Sequence, residues 1–369
     1  MRRLQRKTLV LLLAFLGAIP WTWAAPEPTP LRPQAFAAGL EWEGSHFVRS
    51  DRKGDIYLFR AETGEVYPVS KSGEVGKPQR LQTANESLGY VHSAALSPSG
   101  DTWLVYAESR IRLFVEGKEK PIPPAEWHPW SVGFLRDAPV VCVVPRPTPA
   151  AHLRLKELGA VPWLVTLGND RWDSLVEHSS FSAETAWAER ARMNDWIAEY
   201  AGFLAGDRKG KLWMAGQYGY RVQRLSPSGR PLLEISVKGR EVARQTKVTA
   251  GAADMVKLAE ARGGKAYPFT ATQVIAALTE GPDGAIYLLV NPGDGDTLAL
   301  DRYDSVRGVL ERAALSLKGS GNFTLASGKD GLYLAAWNAK NGRWRIPWQT
   351  IEEATWKEVE GVEIRGGGN

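Results

Sequence analysis

The chain is patterned as short apolar runs punctuated by Gly, Pro, Asp and Ser, which predicts many short strands joined by tight turns. Several runs are entered through one recurring turn. Asp51-Arg52-Lys53-Gly54 leads into Ile56-Tyr57-Leu58, and Asp207-Arg208-Lys209-Gly210 leads into Leu212-Trp213-Met214, with an aromatic at the same offset. Looser copies are Ser97-Pro98-Ser99-Gly100 before Trp103, Gly281-Pro282-Asp283-Gly284 before Tyr287, and Gly328-Lys329-Asp330-Gly331 before Tyr333.

The spacing of these turns sets the architecture. Gly54 to Gly100 is 46 residues and Gly284 to Gly331 is 47, the period of one four-stranded propeller blade. The 110 residues from Gly100 to Gly210 hold two blades with a degenerate turn between them, and the 74 from Gly210 to Gly284 hold one blade and an insertion. The predicted fold is therefore all-β, a six-bladed β-propeller with four strands in every blade. Innermost strands are expected at 46–50, 92–97, 130–135, 200–205, 274–279 and 323–327, and second strands at 56–60, 102–106, 140–144, 211–216, 285–290 and 332–337. Outer hairpins complete the blades, that of the sixth lying within 343–359, and a strand from 39–43 or from 362–365 is expected to close the ring. A lone four-stranded sheet leaves both faces wet, so blades must pack on one another. The aromatic behind each turn is assigned to that packing.

Two stretches break the rhythm with helical patterning. Ser182 caps a short helix running through Ala186 to Met193, and a second covers Ala252 to Ala261 and stops at Gly263-Gly264. They fall between blades three and four and between four and five. Such connections open on one face of a propeller, which makes that face the expected binding surface.

With turn, aromatic and hairpin placed, units such as Ala205-Gly206-Asp207-Arg208-Lys209-Gly210-Lys211-Leu212-Trp213 resemble those of the NHL-type and TolB-like six-bladed β-propellers. The resemblance covers nearly all of 40–364 and implies the fold. That broad group contains binding and scaffold proteins as well as lactone hydrolases and lyases with a metal in the central channel, so it implies no one activity.

The N-terminus alters the charge reading. Arg2, Arg3, Arg6 and Lys7 precede an apolar run from Leu9 to Ile19, and Thr22-Trp23-Ala24 supplies small residues ahead of a cut, the pattern of a secretory signal peptide over 1–24. A Pro-rich linker (25–39), one propeller domain (40–365) and a flexible tail (366–369) are expected to follow. The full chain carries 46 basic and 41 acidic residues; losing the four basic residues of the signal leaves 42 against 41. The mature protein is then nearly neutral, so the basic balance of the full chain is no argument for nucleic acid, and no nucleic acid partner is expected. No membrane insertion is expected after cleavage, and a secreted or periplasmic location follows. Cys142, the single cysteine, sits in a valine run and reads as core.

Candidate chemistry is sparse. His46 and His92 each lie eight residues before a turn glycine, and His128 precedes the third inner strand. Three imidazoles at one channel mouth form a candidate site for one divalent metal with an open position for water. Trp127, Trp130, Trp172, Trp187 and Trp196 lie off the repeat position, near insertions or strand entrances, and are candidates for contact with a protein, peptide or glycan. Asp294-Gly295-Asp296-Thr297 lacks the further ligands of a calcium loop and reads as a turn. Asn85 and Asn322 stand in glycosylation sequons. The expectation is a non-enzymatic exported propeller binding a partner on the insertion face; the alternative is a metal-dependent hydrolase or lyase at the channel mouth.

Overall fold

The computed structural model describes residues 29–37, 45–83, 88–182, 201–206, 209–240, 273–292, 297–318, 323–336 and 342–366. Six antiparallel sheets follow one another around an axis, the six-bladed propeller that the repeat predicts. Their inner strands are His46–Ser50, Val91–Leu96, Trp127–Leu135, Gly202–Gly206, Ile275–Glu280 and Phe323–Ser327. Each pairs with the strand behind its turn, in order Ile56–Arg60, Thr102–Ala107, Ala138–Pro147, Leu212–Gly216, Ile286–Val290 and Gly331–Ala336.

The recurring glycines earn their place through backbone angle: Gly54 and Gly210 stand at φ 77° and 75°, where a side chain is strained. The degenerate third turn is the two-residue link Arg136–Asp137, with Leu135 opposite Ala138 and Arg136 at φ 57°. Blade two differs in turn length. Leu96 pairs with Trp103, seven positions on, whereas Ser50 pairs with Ile56, six on. One extra residue reverses the face of every later side chain. Trp103 accordingly packs back against Phe59 of blade one, with ring centroids 5.3 Å apart. Trp213, Tyr287 and Tyr333 face the following blade instead.

The core lies between blades. Each of the six interfaces carries its own apolar cluster; Leu104 and Tyr106 against Phe134 and Val143, for example, join blades two and three. Interface four–five adds a buried polar link. Asp301, fully buried, accepts two bonds from Arg312 at 2.7 and 2.8 Å and one from the Tyr220 hydroxyl at 2.6 Å. Burial and the neighbouring carboxylate push the Tyr220 hydroxyl well above its ordinary pKa.

Both chain ends depart from expectation. The outermost strand of blade six is Gln34–Ala35, from the stretch read as a Pro-rich linker, paired with Arg343–Pro347. Leu31 is tied further to blade five by bonds with Ala314 and Ser316. The hairpin expected within 343–359 does not form, because at Pro347 the chain turns into the short helix Trp348–Glu352, whose Trp348 indole donates to Gly328 O at 3.0 Å. The chain then lays Lys357–Glu358 on the outer edge of blade five and Val362–Gly366 on that of blade four, giving those sheets five strands. Covering an edge in this way removes a template for foreign pairing. The other described α-helix is Pro149–His152; the two helical insertions lie outside the described residues.

Candidate binding channel

The inner strands enclose a central cavity of about 630 Å³, whose lining runs from His92, Gln217 and Gln273 at one face to Asp51, Pro98 and Glu280 at the other. Inner strands begin at the first face, and there the chain leaves blade three after Ser182 and blade four after Arg240. Both insertions are thus rooted at this mouth.

Bulges shape the mouth. In blade two, Val91 pairs with Ala107 and Ser93 with Tyr106, so His92 is the extra residue. A bulge re-aims the side chain it carries, and the His92 ring stacks on Tyr106 at 4.7 Å and meets Tyr90 edge-on at 4.7 Å. Blade three shifts register beside His128 and again between Pro129 and Ser131, which takes in Trp130. The Trp130 indole donates to Gln217 Oε1 at 2.9 Å and packs edge-on against Tyr218 at 6.3 Å. His128 lines the cavity, close enough to His92 and Arg146 for their charges to oppose its protonation.

Two of the three sequence-predicted histidines therefore meet at the mouth. His46 does not join them. It sits in an unbroken ladder opposite Arg60 and is fully buried in blade one, outside the cavity lining. Equal spacing from the turn placed both residues at the start of a strand, and the bulge in blade two alone separated their fates. Among the described residues, no group of three His, Cys, Asp or Glu side chains comes together as a metal site. Burial lowers the pKa of His92, and burial, then Arg146 and His92, lowers that of His128, so both imidazoles are neutral at pH 7. Burial also pushes the Cys142 thiol to about 12, leaving it no thiolate character.

The tryptophans divide. Trp130 lines the cavity. Trp127 is buried in the core between blades two and three, and Trp172, half-buried, donates to Pro123 O at 2.9 Å on the outer part of blade three. Trp187 and Trp196 lie outside the described residues, as do Asn85, Asn322 and the Asp294–Asp296 turn. Among the described residues no helix is long and apolar enough to cross a membrane.

Deeper in the channel a polar belt stitches neighbouring inner strands. Val48 N–H donates to Thr324 Oγ1 (2.9 Å), Arg49 Nε to Ala94 O (2.6 Å), Val132 N–H to Ser93 Oγ (3.2 Å) and Ser131 Oγ to Gly202 O (2.5 Å). Sequence reasoning missed Arg49, Gln217 and Tyr218 as channel residues. A lone cation at the centre of the inner run His46-Phe47-Val48-Arg49-Ser50 was the available signal for the first.

No family model matches the chain, and no curated protein matches it in sequence. Among solved structures it is similar to a streptogramin B lyase (12% identity, TM-score 0.45, covering 85% of this chain and 96% of that one). It is similar also to virginiamycin B lyase from Staphylococcus aureus (10%, 0.42, 84% and 98%) and to the WD40 repeats of RRP9 (10%, 0.49, 85% and 99%). Likeness at this level concerns the fold alone. Blades closed around an accessible channel form a scaffold suited to binding.

Proposed function

We propose that the protein is an exported, non-catalytic β-propeller that binds a protein, peptide or glycan partner at the channel mouth where its two insertions are rooted. The observation that carries this reading is the pair of aromatic walls there, Tyr90–His92–Tyr106 on one side and Trp130–Tyr218 on the other, above a cavity of ligand size. Flat aromatic faces with neutral imidazoles between them suit sugar rings and peptide side chains. The signal-like segment 1–24 supports export. The alternative, a metal-dependent hydrolase or lyase, rests on three convergent histidines, of which His46 lies elsewhere.

Peptide and oligosaccharide arrays probed with the mature chain test the reading. Bound members should lose at least tenfold in affinity for the variant Tyr90→Ala/Trp130→Phe. Binding that the double variant leaves intact overturns it.

A further inference from the structure

We propose that Arg49 is the anchor for a carboxylate group of a ligand seated in the central channel. This rests on the reading of the channel as the binding site and adds the chemical class. Arg49 stands in the inner strand of blade one, lines the cavity and is half-buried, so what it leaves open faces the channel. Its Nε donates to Ala94 O at 2.6 Å, its Nη1 donates to Val48 O at 2.7 Å, and its guanidinium carbon lies 5.7 Å from the Phe47 ring centroid. These contacts fix the plane of the fork and leave Nη2 for a further acceptor. Among the described residues no Asp or Glu pairs with it. Asp51 and Glu280 line the far end of the channel, and Asp51 is engaged with the Asp55 N–H at 2.9 Å.

A desolvated cation held only by neutral carbonyls is penalised, and burial lowers this guanidinium to about 10. An entering anion offsets that penalty through a charge-assisted bond. Two hydroxyls of the belt complete the setting: Ser93 and Thr324 each accept a backbone N–H, which leaves their own protons to donate. Arg52, the other arginine of the lining, stands at the far face with Asp51 and Glu280. At the level of Arg49, one positive charge with neutral donors therefore matches a monoanion, whereas a phosphate dianion would remain half-compensated in a low-dielectric channel. Exposed Arg146, beside His128 at the mouth, favours entry of negative charge.

Calorimetric titration of the mature chain with benzoate, its uncharged counterpart benzamide, and inorganic phosphate tests the assignment. Benzoate should bind at least tenfold tighter than benzamide and tighter than phosphate, and Arg49→Gln should abolish the preference while Arg146→Gln keeps it. Equal binding of benzoate and benzamide overturns the proposal, as does tighter phosphate, a preference that survives Arg49→Gln, or one lost with Arg146→Gln. Because Arg49 also holds Ala94, its variant is first checked for native unfolding behaviour; should it not fold, the benzoate contrast in the parent and in Arg146→Gln decides. Array partners that need Tyr90 and Trp130 but ignore charge would leave the mouth reading standing and end the Arg49 assignment alone.

Discussion

Trp130 donates its indole N–H to Gln217 Oε1 at 2.9 Å, joining the inner strand of blade three to the mouth loop of blade four. Gln217 is buried. Its backbone N–H donates to Ala201 O, and its carbonyl accepts from Val274 and Ile275, so this residue gathers blades three, four and five at the mouth. Trp130→Phe keeps an aromatic ring but leaves the Gln217 oxygen without its donor. A loss of about 1–3 kcal/mol is expected in urea unfolding. Gln217→Leu added to that variant should recover much of it, since no orphaned acceptor then remains.

Removal of the Asp301 carboxylate should be more damaging. Arg312 and Tyr220 both point their donors at it, and Asp301→Ala leaves a partly buried guanidinium uncompensated. The expected loss is about 3–5 kcal/mol, against about 1.5–3 kcal/mol for Tyr220→Phe, which deletes one bond to a charged acceptor. Denaturant midpoints of the two variants check the order.

The mouth histidines set a pH dependence. Burial holds the folded pKa of His92 and His128 below the ordinary 6.5, so the unfolded chain binds their protons more readily than the folded one. Stability from this source is present above pH 6.5 and is lost as pH falls through the lowered folded values. His92→Gln/His128→Gln should flatten that part of the stability profile below pH 6.5, measured as urea midpoint against pH.

The C-terminal strap is a separate test of the fold. Val362–Gly366 pairs along Pro231–Val237 at the outer edge of blade four, and Val362 packs on the core between blades four and five. Deleting 361–369 should lower stability by about 1–2 kcal/mol. It should also promote concentration-dependent association through the bared edge, read by size-exclusion chromatography.

Much of this architecture could be read from the residues, and the failures have local causes. Turn spacing located all six inner strands, and at Gly54, Gly100, Gly210 and Gly284 the signal has a physical cause, since each stands at positive φ, which restricts what can stand there. Trp103 packs between blades as the repeat predicts, but spacing did not register the extra residue in the Ser97–Thr102 turn, which decides that it packs against blade one. Nor did spacing reveal the bulge at His92, which separates that residue from His46. The pairing of Gln34–Ala35 with Arg343–Pro347 spans the whole chain, and a two-residue strand has no periodicity to detect. At the site, aromatic content pointed to Trp130, but Arg49, Gln217 and Tyr218 become channel residues only when six strands from distant parts of the sequence converge.

The most direct measurement places a photo-crosslinking amino acid at Tyr90, 49% exposed at the mouth, or at Val306, 92% exposed on an outer turn of blade five at the opposite face. Each protein is then irradiated with the partners identified on the arrays. Crosslinks from position 90, competed by unlabelled partner and absent from position 306, are the expected result. Equal capture at both positions, or capture from 306 alone, would contradict recognition at the channel mouth.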